Sequence, residues 1–74
     1  MVIQQLTIIY KEIEPDVWNG LVIQYPNIIG YKMEGKEDAR ETMYTLISEE
    51  LFHVTKSYSS WKISRELFVY LGAW

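Results

Sequence analysis

The residues able to do chemistry are few. The chain has no cysteine and a single histidine, His53, which excludes thiolate chemistry and leaves no nitrogen or sulfur donor set for zinc. Ser48 is the only serine close to His53 on the same stretch of helical pattern, and His53 reads as a capping or solvent-facing residue rather than a general base. Carboxylates are the other candidates. Glu34, Glu37, Asp38 and Glu41 fall within eight residues of each other, with Glu12, Glu14 and Asp16 upstream. Hard oxygen ligands of this kind suit divalent cations, but the same residues also make a solvated acidic helix start, and that is the preferred reading. Glu49 and Glu50 are adjacent, so on a helix they diverge and form a poor acid/base pair. The stretch EGKEDA has one glycine before a helical pattern. It lacks the repeated backbone amides of a phosphate-cradling loop, and its carboxylates repel phosphate. No catalytic, cofactor-binding or metal-ligating residue is assigned, and the chain reads as non-enzymatic.

Composition narrows the partner classes. The formal charge is -3, with seven Lys and Arg scattered along 74 residues, and nucleic-acid binding draws its affinity from clustered cations that neutralise phosphates. Direct nucleic-acid binding is therefore not expected, and a basic protein partner is the better match. Three Trp, six Tyr and two Phe are read as core and interface packing, since a stacking platform for single strands needs a basic groove. The N-terminal MVIQQLTIIYKEIEP lacks a basic n-region and a small-residue cleavage site, and no apolar run approaches the length of a bilayer span. The expectation is a soluble cytoplasmic protein with no membrane partner.

The elements that must position these residues follow from periodicity. From Val2 to Ile13, Leu6, Ile8 and Tyr10 alternate with Thr7, Ile9 and Lys11, the period of a strand that is apolar on both faces. Glu14, Pro15 and Asp16 break it, and a hairpin is the short connection. A second strand is expected from Val17 to Tyr25, with Trp18, Gly20 and Val22 on one face, and Pro26 and Asn27 ending it. A third, Ile28 to Met33, is expected to place Ile29, Tyr31 and Met33 together, with Gly30 marking a bulge or a close backbone approach. Ala39, Met43, Leu46, Ile47, Leu51 and Val54 then recur as the apolar stripe of a helix over Lys36 to His53, with Gly35 as N-cap. From Ser57 to Trp74 two readings stay open. Trp61, Ile63, Leu67, Val69 and Leu71 alternate as a strand, whereas Ile63, Leu67, Leu71 and Trp74 also make a helical stripe; the strand formers in LFVYL favour a strand.

The predicted domain is thus a single α+β unit over residues 1–74, a small antiparallel sheet with one amphipathic helix packed on it, in β-β-β-α-β order. A domain this small buries only about 60% of the surface its unfolded chain exposes. Because the first strand is apolar on both faces and one helix covers only one of them, a homodimer or higher homo-oligomer is expected.

The stretch YPNIIGYKMEGKEDA resembles the N-terminal domain of HicB-type antitoxins over about Leu6 to Leu51. Pro26, Gly30, Gly35 and Ala39 match in order that family's Pro-Asp-Leu-Pro-Gly-like turn, its second glycine and its Ala-containing helix start. Asn27 stands where the family usually has Asp and Ile29 where it usually has Pro; the link from Gly35 to Ala39 is about two residues shorter and has no Thr cap. The resemblance implies a β-β-β-α-β fold, self-association, and binding to a small basic toxin ribonuclease whose active surface is covered. The C-terminal DNA-binding domain common in such antitoxins is not expected in the roughly twenty residues after the helix, which are not basic. A phage-encoded inhibitor of a host defence or nucleic-acid enzyme, acting by protein-protein binding, is the alternative reading. For either, the expected partner-binding residues are the acidic edge Glu34, Glu37, Asp38 and Glu41, with Trp18 and Trp74 as exposed aromatic anchors.

Overall fold

The computed structural model describes residues 3–55 and 61–72, and of residues 53–55 the backbone alone. The elements are strand β1 (Gln4–Glu14), β2 (Val17–Val22) and β3 (Tyr25–Glu34), helix α1 (Lys36–Thr55) and strand β4 (Trp61–Val69). They form one four-stranded sheet in the order β3-β2-β1-β4, with α1 on one face. The α+β class and the β-β-β-α-β order agree with the sequence reading, and of the two readings of the tail the strand is the one found. The sheet is mixed rather than antiparallel, because β4 runs parallel to β1. The helix between β3 and β4 supplies the crossover that a parallel pairing requires.

Alternation fixes the buried face of β1 and β2: Leu6, Ile8 and Tyr10, then Trp18 and Val22, are all buried. The two are joined through Pro15 and Asp16, with Asp16 at φ 58°. Ala39, Met43, Ile47 and Leu51, one turn apart along α1, close the core from above. Gly20 and Gly30 face each other across β2 and β3. A Cβ on Gly20 would stand 2.8 Å from the Met43 sulfur, and one on Gly30 would stand 2.9 Å from it and 2.7 Å from that of Met33. The pair forms a trough that admits Met43, the close approach expected of Gly30. Gly35, at φ 87°, turns the chain from β3 into α1, and its carbonyl accepts the first helical bond from the Ala39 N–H at 2.9 Å.

Three local readings are corrected. Pro26 and Asn27 do not end β2. The strand stops at Val22, the turn is Ile23 and Gln24, and Pro26 lies inside β3. Gln24 sets this turn with its side chain, whose Oε1 accepts the Thr7 N–H at 2.9 Å, while the Ile23 N–H donates to the Thr7 carbonyl at 3.1 Å. Pro26 is tolerated because β3 is an edge strand and the register slips between Leu21 and Val22, so no ladder donor is lost.

Met33 joins Ile28 and Gly30 on the core face instead of Ile29 and Tyr31. Lys32 takes a left-handed φ of 49° and donates its N–H to Asn19 Oδ1 at 2.9 Å. That extra outward residue flips the strand. In β4 a register shift between the partners of Leu6 and Thr7 skips Ser64, so Glu66 and Phe68 follow Trp61 and Ile63 inward and Leu67 turns outward.

Candidate functional site

The hairpin tip between β1 and β2 and the junction between β3 and α1 meet at one end of the molecule. The Gly35 N–H donates to the Asp16 carbonyl at 2.8 Å, and Val17 pairs with Glu34. Two acids of this region have local structural partners. Glu12 accepts the Asp16 N–H at 2.8 Å on one oxygen and the Leu71 N–H at 2.9 Å on the other, and Asp16 Oδ1 accepts the Trp18 indole N–H at 3.1 Å. Glu14, Glu34, Glu37, Asp38 and Glu41 are exposed. Thus all four carboxylates of the expected acidic edge lie in solvent on β3 and the first turns of α1. Glu37 and Asp38 also complement the positive end of the helix dipole. A shallow groove beside Glu41, Thr45, Leu46 and Glu49 continues this surface along α1. Among the described residues no three carboxylate or imidazole groups converge as a metal-ligand set.

Trp18 is not an exposed anchor. It is 2% exposed and lies edge-on to Phe68, with ring centroids at 5.8 Å, and to Tyr70, at 5.3 Å. Alternation on β2 turns it toward the helix, and the indole N–H is satisfied by Asp16. Trp74 lies outside the described residues, as does the side chain of His53. Tyr31, 69% exposed on β3, is the aromatic that stands furthest into solvent among the described residues.

A polar cluster that the sequence reading missed sits at the other side of the core. Glu66 Oε1 accepts the Tyr10 hydroxyl at 3.0 Å and Arg40 Nε at 3.1 Å, and Arg40 Nη2 approaches Oε2 at 3.0 Å. Burial alone would raise the Glu66 pKa, but the hydrogen bonds from Arg40 and Tyr10 outweigh it and hold the carboxyl below its ordinary value. Burial first, then the bond to Glu66, pushes the Tyr10 hydroxyl well above its own. Glu66 is therefore an ionised acceptor and Tyr10 a fixed donor, an arrangement that clamps β4 to α1 and β1 and has no proton to exchange near neutrality. The signal for it was the acid Glu66 at the head of the apolar run LFVY, which when turned inward demands a cation. Beside it the Lys36 ammonium lies 4.1 Å from the centroid of Phe68 and donates to the Tyr70 hydroxyl at 2.9 Å.

No helix among the described residues is long and apolar enough to cross a membrane. Comparison of the chain with protein-family models, with curated proteins and with solved structures gives no match.

Proposed function

We propose that this chain is a non-enzymatic protein-binding module of the antitoxin kind, which binds a small basic ribonuclease and neutralises it by covering its active surface. The observation that carries this reading is the acidic end, where Glu14, Glu34, Glu37, Asp38 and Glu41 stand exposed around the bond between Gly35 and Asp16. A surface of one sign steers an oppositely charged partner and suppresses partners of like charge. A ribonuclease must present cations to RNA phosphates, and a carboxylate field competes for those same groups. The β-β-β-α-β order is also the one that the HicB-type resemblance implies. Its turn residues have physical roles here, with Gly30 under the Met43 side chain and Gly35 at a left-handed φ.

The test is neutralisation. A small basic ribonuclease encoded in a neighbouring reading frame is purified, and its cleavage of RNA is followed as this chain is added. Cleavage that stops at stoichiometric addition, with a stable complex, supports the reading. Cleavage that continues under excess of the chain overturns it, and inhibition of a host nucleic-acid enzyme in its place assigns the inhibitor function instead.

A further inference from the structure

The fold gathers cations that are scattered along the sequence. The sheet face away from α1 carries Lys11 on β1, Lys32 on β3, and Lys62 and Arg65 on β4, all exposed. Strand partners fix the facing. Lys11 pairs with Asn19, while Lys62 and Arg65 pair with Gln5 and Thr7, which alternate with the buried Leu6 and Ile8. From the row of Gln5 to the row of Lys11 this face carries no Asp or Glu among the described residues. Its acids, Glu14 and Glu34, stand at the hairpin end on either side of Val17. Lys32, Lys62 and Arg65 meet no carboxylate among the described residues.

Between these cations runs a row of aliphatic side chains. The register sets Ile29 beside Leu21, Leu21 beside Ile9, and Ile9 beside Leu67. The row crosses all four strands, three gaps of about 4.8 Å each, and is about 14 Å long. Ile9, Leu21 and Ile29 line an apolar groove of about 240 Å³ with Lys11 and Asn19 at its rim. Lys11 and Lys32 lie on the hairpin side of the row, and Arg65 and Lys62 on the opposite side.

We propose that this face takes an acidic amphipathic helix of a partner protein, laid along the row with its aliphatic stripe down and carboxylates on both flanks. This inference stands apart from the proposed antitoxin function, which uses the acidic end. The dimensions match. Side chains one helical turn apart are separated by about 5.4 Å along the axis, close to the strand spacing, so four of them over about three turns cover the row. Lys11 and Arg65 stand two residues from the row along their strands, about 7 Å, within reach of the flanks of a helix about 10–12 Å across. Two other occupants match the face less closely. Single-stranded nucleic acid needs stacking rings, and Tyr31 is the one aromatic side chain that this face presents among the described residues. An anionic bilayer would lie over the whole face and press Glu14 and Glu34 against its headgroups, whereas a helix centred on the row clears them.

Fluorescence anisotropy of a labelled peptide with the full chain tests the proposal. The peptide is a stapled helix of about 15 residues, with Leu at four positions three or four residues apart and Glu on both flanks; a second peptide has Gln in place of each Glu. The acidic peptide is expected to bind and to be released by salt, and the Gln peptide to bind about tenfold or more weakly at low salt. Leu67→Glu, which sets a charge in the apolar row, is expected to weaken binding of the acidic peptide about tenfold or more. The exposed pair Lys62→Glu and Arg65→Glu together is expected to weaken it by about as much, and circular dichroism verifies the fold of each variant. A chain that binds neither peptide, or binds both equally, overturns the proposal. So does binding of the acidic peptide that is unchanged in both folded variants. Retention on phosphatidylserine vesicles or on polyuridylate, without binding of the acidic peptide, also overturns it and assigns the face to a bilayer or a nucleic acid.

Discussion

Replacing Tyr10 by Phe removes one oxygen from the core and leaves nearly everything else in place. The ring is stacked on Phe68 with centroids 4.6 Å apart and planes 6° from parallel, and Phe keeps that stack. What is lost is the hydroxyl bond of 3.0 Å to Glu66. A bond to a charged acceptor contributes about 1.5–3 kcal/mol, and the larger costs arise when a buried partner is orphaned. Here the acceptor oxygen keeps Arg40 Nε at 3.1 Å, so the expected loss at neutral pH is about 1–2 kcal/mol. In a domain of this size each 1 kcal/mol lowers Tm by about 4–8 °C.

The pH dependence has a definite sign. Glu66 lies below its ordinary value of 4.5 in the folded state, so its stabilising contribution is complete above that value and disappears as pH falls through the folded one. Tyr10→Phe removes one of the bonds that holds Glu66 down. The difference between the two proteins should therefore be full near pH 7 and shrink as the pH falls below 4.5. Urea unfolding at fixed protein concentration measures both. A variant as stable as the wild type at neutral pH, or one whose deficit does not change with acidification, refutes the reasoning.

Gly35→Ala places a Cβ at φ 87° with nothing nearer than Asp16 Oδ2 at 4.0 Å, so its cost is conformational alone, about 1–2 kcal/mol by denaturant unfolding with an unchanged m-value. Gly30→Ala meets the Met33 and Met43 side chains under 3.0 Å and is expected to cost about 1–3 kcal/mol, with a changed near-ultraviolet spectrum as the helix lifts.

The sheet and helix were legible because their apolar residues repeat with little interruption. Leu6, Ile8 and Tyr10 alternate along β1, and Ala39, Met43, Ile47 and Leu51 recur every fourth residue, both as the core requires. What misled was punctuation. Pro26 looked like a turn, but an edge strand has no need of its missing N–H, and the turn was made by the Gln24 side chain, which carries no such mark. Single-residue irregularities at Lys32 and Ser64 reversed the facing of Met33, Glu66 and Leu67, and neither residue type announces a bulge. The candidate site divided along the same line. Glu34, Glu37, Asp38 and Glu41 were found where charge density put them, exposed at one end. Trp18 was misplaced because a large aromatic on the core face of a strand was read as an anchor, and Glu66 was missed because its partner Arg40 is distant in sequence.

The central claim, that the acidic end recruits a basic partner, is tested most directly by the association rate with the purified basic ribonuclease in stopped flow at several salt concentrations. The variant replaces Glu34, Glu37 and Glu41 by Gln and Asp38 by Asn, a net change of +4, and a second protein with the exposed Ile3, Gln5, Asn27 and Ser48 each replaced by Lys carries the same change away from the acidic end. Exposed substitutions of this kind change stability by no more than about 0.5 kcal/mol each, and circular dichroism verifies the fold. The account predicts that the first variant associates about tenfold or more slowly at low salt and loses most of its salt dependence, while the control stays close to the wild type. An unchanged rate in the folded first variant, or an equal loss in the control, contradicts it.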